Sequence, residues 1–432
     1  MSNNPQIFHG EWWVPAVLDP EAHLTCFEPQ KMMGQETKYK GTLTYYEDKD
    51  STLELFHYPS HFMAKLYQQN DVIWGIDANG HIFTLFNVAM IDQHLGDFTT
   101  SKFIVNLILI GDHVLSANDT RFNRCVVQFP YLRNWAFQDQ ITKKNEDDSI
   151  SFSTQLIGKK LLDAASDKGV YWSLWQYPTI DRTVHDLTIT QTTEFEIEAT
   201  TPCSIWTYLK QIEEFSQFLS IALYCNQDPI KIEFEKKGNT FRSILLFRKE
   251  KSEEPEVTPL IKYQALSDKL PTMLNLWHTN FENVAPISNY LISSLHSKNK
   301  FDVPDFLIIA QALDGYHKRF VNKRNGKDHR KYEDGIKILL KQFKDVECIK
   351  KLHIDPIVLR DSRDKYSHLY PDDEKSSSVK GEELYWLTEK CKILLTCCIL
   401  NLLGLSNNEI NLCCENSPIS RTIDSVLWES ED

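Results

Sequence analysis

The apolar residues of this chain recur with one period up to about residue 247 and with another from about residue 283 onward. That change sets which elements each part can build. In the first stretch the runs are short and rich in Val, Ile, Thr and Phe, and they approach a two-residue alternation. Examples are GTLTYYE from Gly41, STLELF from Ser51, HIFTLFNVAM from His81, SKFIVNLILIG from Ser101, TEFEIEA from Thr193, PIKIEFEKKG from Pro229 and FRSILLFRKE from Phe241. Alternation of this kind buries one face of an antiparallel sheet. DANG at Asp77–Gly80 and KKGN at Lys236–Asn239 carry residues that tolerate positive φ, as hairpin turns require. One segment departs from the pattern. In Ser204–Tyr224 the residues Ile205, Leu209, Ile212, Phe215 and Leu219 recur at helical spacing after the polar and proline signals of TTPCS.

The charged, proline-bearing stretch Arg248–Pro259 reads as a linker or long loop. Beyond it, Asn283–Ser297, Val303–Val321, Lys331–Phe343, Ile354–Tyr370 and Gly381–Leu405 all carry apolar stripes at helical spacing. Four to five such helices describe a compact bundle. The expected fold class is therefore α+β. Residues 1–250 form a β-rich domain with one embedded helix near 204–224, residues 251–280 connect, and residues 281–432 form an all-α bundle. At 432 residues the chain is long enough for two or three cores.

Charge and cysteine usage narrow the function. A formal charge of −13 leaves no global basic field, which counts against a protein that coats nucleic acid non-specifically but permits a local phosphate-binding patch. The ten cysteines include no CxxC pair and no Cys/His grouping with zinc-finger spacing, so they are expected to act as small hydrophobes in a reducing cytoplasm, with no metal and no cofactor. His57, His61, Asp112 and His113 are non-diagnostic by spacing, and Trp12, Trp13, Trp74 and Trp135 read as core. The apolar run Ile393–Leu405, broken by Asn401, is shorter than the ~18–20 residues of a membrane span and reads as a buried helix. No P-loop, dinucleotide fingerprint, GxSxG elbow or HExxH occurs.

Chemistry concentrates in RDSRDKYSHLYPDD. Arg363, Asp364 and His368 lie at the C-terminal end of one expected helix. Cleaving RNA without a metal needs a base for the 2′-OH proton, a cation for the developing phosphorane and an acid for the leaving oxygen. Histidine titrates near neutrality and arginine presents a fixed cationic fork, so the residue types fit. Asp364 and His368 are i,i+4 and share a helix face, whereas Arg363 stands ~140° from His368 on an ideal helix. A two-fold dimer pairing this helix with its copy is one way to complete a cleft. The same spacing also arises on an ordinary solvated helix end, and that reading stays open. HKRFVNKRNGKDHRK, with Lys318, Arg319, Lys323 and Arg324, is a candidate RNA-backbone contact or, equally, a solvated loop.

VLRDSRDKYSH within a C-terminal helical bundle, preceded by IIAQALDGYHKRF, resembles the HEPN superfamily of ribonucleases. More narrowly, it resembles the ApeA-like branch of bacterial anti-phage defence. GEWWVP at Gly10, GTLTYY at Gly41, IWGIDANGHIFTLFN at Ile73 and GDHV at Gly111 resemble the ApeA-type N-terminal domain. The resemblance implies a metal-independent endoribonuclease acting as a homodimer, often on tRNA, that halts growth of an infected cell. Arg363 and His368 would be catalytic, with Asp364 as the polar residue after the arginine. The β-rich half would be a sensor for a phage-encoded trigger protein. Asp364 stands where Asn is frequent, and Asp314 where Glu is expected. Two other readings remain: a non-catalytic RNA-binding or dimerisation protein, and a toxin silenced by a separate partner.

Overall fold

The computed structural model describes residues 4–15, 37–56, 72–94, 99–119, 121–137, 141–146, 149–154, 158–165, 169–182, 187–238, 242–249, 258–296, 303–322, 331–371 and 377–429. The chain is α+β, as the two periods predict.

The first six strands are β1 (Gln6–Trp13), β2 (Tyr39–Tyr45), β3 (Ser51–Phe56), β4 (Ile73–Asp77), β5 (Ile82–His94) and β6 (Thr100–Ile110). They pair antiparallel in the order β6-β3-β2-β1-β4-β5, and β5 returns to β6, so the sheet closes into a barrel. Closure removes the open edges that a six-stranded sheet would otherwise expose. Alternation fills the lumen: Leu43, Leu53, Leu55, Ile73, Phe83, Leu85 and Phe103 are fully buried. Asp77 closes the β4–β5 hairpin, accepting from the backbone N–H groups of Asn79 and His81 at 2.8 Å each, with Gly80 at φ +83°.

Trp12 is also fully buried, opposite Gly75 in the β1–β4 register. A Cβ on Gly75 would stand 2.2 Å from the indole, and one on Gly41 3.1 Å from it. Gly75 makes room for the indole, whereas a Cβ on Gly41 would first meet the Glu54 carbonyl of β3, at 2.5 Å. Gly75→Ala should therefore destabilise the protein by about 1–3 kcal/mol through overpacking. A denaturant midpoint equal to that of the parent would refute this account of the lumen.

The remaining strands are β7 (Phe122–Gln128), β8 (Ile141–Glu146), β9 (Ser149–Thr154), β10 (Lys159–Ala165), β11 (Val170–Arg182), β12 (Leu187–Cys203), β13 (Lys231–Glu235) and β14 (Ser243–Phe247). Strands β8 and β9 form a separate ribbon. The others continue the main sheet through β6. One edge of β6 pairs with β5 along its length, whereas the other is divided between β3 (residues 100–105) and β14 (residues 107–110). The barrel thus runs into an open antiparallel layer, β14-β13-β7-β12-β11-β10. Gly238 (φ +81°) lies in the expected KKGN turn, whereas Asn239 lies outside the described residues.

The short helix α1 (Leu132–Trp135) follows β7, and the embedded helix expected near 204–224 is α2 (Ile205–Leu223), capped by the Ser204 side chain. Phe215 of α2 stacks on Phe195 of β12 at 3.8 Å. On its other side α2 meets α4 (Leu270–His296): Trp277 donates to the Glu214 carbonyl at 2.9 Å and Ser288 to Gln217 at 2.7 Å. One continuous apolar core therefore runs from the open sheet through α2 into the helical part.

The connector expected over 251–280 lies outside the described residues up to 257. From residue 258 it is a packed segment, comprising α3 (Tyr263–Leu266) and the start of α4, with Leu260, Ile261 and Trp277 fully buried. The proline-bearing charges at its start signal a linker, but the apolar residues after them belong to the core.

The bundle continues with α5 (Val303–Tyr316), a π-helix (His317–Asn322), α6 (Tyr332–Gln342), α7 (Glu347–Leu352), α8 (Pro356–His368), α9 (Glu382–Leu402), α10 (Asn407–Cys414) and α11 (Pro418–Glu429). Every residue of α9 from Cys391 to Leu400 is buried. The apolar run at Ile393 is thus the central helix of the bundle. Among the described residues no helix is long and apolar enough to cross a membrane.

Candidate functional site

Helix α8 begins where the sequence chemistry places a start. Asp355 accepts from the Ile357 N–H at 2.7 Å, and Pro356 occupies the first turn. It ends at Leu369, a non-glycine residue in the left-handed region (φ 53°), 87% exposed. Left-handed backbone costs a leucine ~1–2 kcal/mol, and strain of this kind gathers at functional sites. Here it directly follows His368.

Burial divides α8 into two arcs. Leu359, Asp361, Ser362 and Lys365 are buried, while Ile357, Ser367 and His368 are exposed. At ~100° per residue the outward arc runs from Arg363 through Ser367, Arg360 and Asp364 to His368. The ~140° between Arg363 and His368 is therefore the width of one open face, with Asp364 inside it. The buried arc anchors the helix. Ser362 Oγ accepts from the Val379 N–H at 3.1 Å, Tyr366 donates to the Val379 carbonyl at 2.9 Å, and the Tyr366 ring meets Phe306 of α5 edge-on.

Arg363 and Asp364 are brought together. The Arg363 guanidinium lies 5.0 Å from the centroid of the Tyr332 ring, and its Nη1 donates to Asp364 Oδ1 at 3.2 Å. Tyr332, at the start of α6, donates to the Ala310 carbonyl at 3.1 Å. Burial pushes its phenol well above the usual range; Arg363 opposes that shift, while Asp314 and Asp364 add to it. Asp314 thus shares the electrostatic neighbourhood of Arg363. Arg360, on the same arc, is ion-paired to Asp361 at 2.8 Å and to Glu333. His368 stands at the last turn with its ring 5.5 Å from Tyr370. The guanidinium is thus held by an aromatic face and a carboxylate, and the imidazole is presented to solvent beside a strained turn.

Of the expected RNA-backbone contacts, Lys318 and Arg319 lie on the π-helix and make contacts within the protein. Lys318 pairs with Asp314 at 2.7 Å, and Arg319 donates to the Asn283 carbonyl at 2.6 Å. Lys323 and Arg324 lie outside the described residues, as do His57 and His61. In the amino-terminal half, His113 stacks on Trp74 (4.7 Å, 3° between planes) and contacts the Gly75 carbonyl, while Asp112 pairs with Lys236. Both have structural partners. Trp12, Trp13 and Trp135 are core, and Trp74 is partly buried against it.

The sequence reading missed one grouping. Cys348, Cys397 and Cys414, all buried, converge so that their sulfurs lie within 4.8 Å of one another. They are 49 and 66 residues apart counted from Cys348, far beyond the reach of a local spacing rule.

Comparison with protein families gives two matches: ApeA N-terminal domain 1 over residues 8–277 and Apea-like HEPN over residues 307–409. The second span contains α8 with Arg363, Asp364 and His368. No curated protein and no solved structure matches the chain.

Proposed function

The chain belongs to the ApeA family, with an ApeA N-terminal domain followed by an Apea-like HEPN domain; from that membership and the open face of α8, we propose that it is a metal-independent endoribonuclease. The family places it among HEPN nucleases of anti-phage defence. The observation that carries the finer reading is the arrangement on α8, where Arg363 is braced by Tyr332 and Asp364 and His368 is exposed at the other end of the same outward arc.

In this reading His368 exchanges the proton of the 2′-OH or of the departing 5′-oxygen. Arg363 faces the non-bridging oxygens as negative charge grows on the phosphorane. Asp364 holds the guanidinium fork in place and tempers its charge. Attack by the 2′-oxygen forms the new P–O bond as the P–O5′ bond breaks, leaving a 2′,3′-cyclic phosphate and a 5′-hydroxyl. Each motif offers one imidazole, so a homodimer that faces two copies of α8 across a two-fold axis supplies a base and an acid to one phosphodiester. RNA is the substrate, with tRNA the first class to test. The trigger is a phage-encoded protein bound by the β-rich half, and the enzyme works in the cytoplasm. The continuous core from the open sheet through α2 to α4 gives a path by which such binding biases the helical part.

The Arg363–Asp364 pair also supports a second reading, in which the motif is structural and the bundle binds RNA or a second copy without cleaving. Incubating the purified chain with total cellular RNA, with and without EDTA, separates the elements of the proposal. Cleavage in both samples, with cyclic phosphate ends, is expected. Activity that disappears on chelation while the chain stays folded would contradict the metal-free mechanism.

A further inference from the structure

We propose that Cys348, Cys397 and Cys414 form a thiolate site for a metal ion, Zn2+ being the ion that fits, remote in chemistry from the α8 motif and structural in role. The three sulfurs come from α7, α9 and α10. Cys348 Sγ lies 3.9 Å from Cys397 Sγ and 3.7 Å from Cys414 Sγ. Zinc–thiolate bonds of ~2.3 Å in a tetrahedron separate neighbouring sulfurs by ~3.8 Å; both distances from Cys348 match that, and the third pair lies within 4.8 Å. Among the described residues this is the one group of three potential metal ligands that converges in this way.

Cysteines packed as small hydrophobes are the competing explanation, and it suits Cys391, Cys398 and Cys413, which are buried on the same helices outside the cluster. It gives no reason for three thiols from three helices to meet at one point. It also leaves a second observation without a role. A cleft of about 110 Å3 reaches the cluster from one side, lined by Cys348 and Cys414 together with Glu347, Lys351, Glu415 and Asp424. Cys397, fully buried, lies behind them. The cleft supplies an entry path and, in Glu347, Glu415 and Asp424, carboxylates from which the fourth ligand of a closed structural site would come.

Binding is balanced as M2+ plus three Cys–SH giving M(S–Cys)3− plus three protons, with no change in redox state. The product carries one negative charge, and Lys351 on the cleft wall is placed to offset it. Three soft thiolates with an oxygen donor suit zinc better than magnesium, calcium or manganese, which prefer all-oxygen shells. The consequence is mechanical. The ion would tie α7 to the central helix α9 and to α10, and α7 leads directly into the Asp355 cap of α8.

The test uses the full chain, purified under reducing conditions without chelator and exposed first to Zn2+ and then to dialysis. About one equivalent of zinc per chain is expected by elemental analysis. Cobalt exchanged into the same site should give a thiolate-to-metal charge-transfer band and the intense visible bands of tetrahedral Co2+. Cys414→Ser should lose most of the bound metal, while Cys391→Ser keeps it. The cobalt spectrum of the parent protein decides the matter even where a variant fails to fold. Absence of both zinc and the cobalt–thiolate band would overturn the proposal, as would equal metal in the parent and Cys414→Ser. None of these outcomes depends on RNA cleavage, so the nuclease reading and this one stand or fall separately.

Discussion

His368→Ala is expected to lower RNA cleavage by at least ~100-fold, the smaller end of what a positioned acid or base contributes. Stability should barely change. The side chain is exposed at the last turn of α8 and its ring contact is with Tyr370, itself exposed, and surface substitutions of this kind usually stay within ~0.5 kcal/mol. Arg363→Ala is a less clean probe, because it also removes a cation from the Tyr332 face and leaves Asp364 without the guanidinium beside it. Cleavage by the parent and His368→Ala chains should be compared at matched protein concentration, with helical content and oligomeric state checked alongside. If the variant cuts RNA at the parental rate, the imidazole has no role in the chemistry; if neither chain cuts RNA, the binding-protein reading replaces the enzyme.

The largest effect on stability should come from Lys392→Ala. This lysine lies within the central helix α9 and is 2% exposed. Its ammonium lies 2.8 Å from Glu389 and 3.1 Å from Asp305, a residue 5% exposed in the first turn of α5. Burial opposes the charged ammonium, but Glu389 and Asp305 together hold its pKa above that of an ordinary lysine. Because the folded-state value is raised, the stabilisation is fully present below ~10.4, the unfolded lysine value, and is lost only as pH rises through the folded one. Alanine leaves a carboxylate buried without its cation, a loss of about 3–5 kcal/mol. Asp305→Asn combined with Lys392→Met should recover part of that loss, since a neutral pair carries no stranded charge. Urea unfolding followed by helical signal measures both. A midpoint for Lys392→Ala within error of the parent would show that the pair contributes nothing.

The motif on α8 and the cysteine cluster differ in how far they can be read from the chain. Arg363 to His368 is local: one helix, one capping aspartate and one proline set the order and rough direction of the side chains. What the order leaves open is which arc faces solvent. Neighbours decided that, with Tyr332 under Arg363, Val379 held by Ser362 and Tyr366, and Phe306 behind Tyr366. The three cysteines carry no local signal, because each is an ordinary small apolar residue on its own helix. Their meeting follows from how α7, α9 and α10 pack.

The same line runs through the fold. The two hydrophobic periods, the DANG hairpin, the lone helix at Ser204 and the buried run after Cys391 were all legible, because each depends on which side of a strand or helix faces water. The residues after Pro259 were misread as a connector, because charged and proline residues at its start mask an apolar stretch that packs into the core. Closure of the barrel, the division of one edge of β6 between β3 and β14, and the core shared by sheet and bundle were not legible. Edge partners and shared cores are chosen between segments far apart in the chain, where only complementary shape and the exclusion of water discriminate. The sequence by itself therefore determined the elements, their order and the residue types on α8. The tertiary structure alone decided which distant groups meet, because that choice rests on packing that no local pattern encodes.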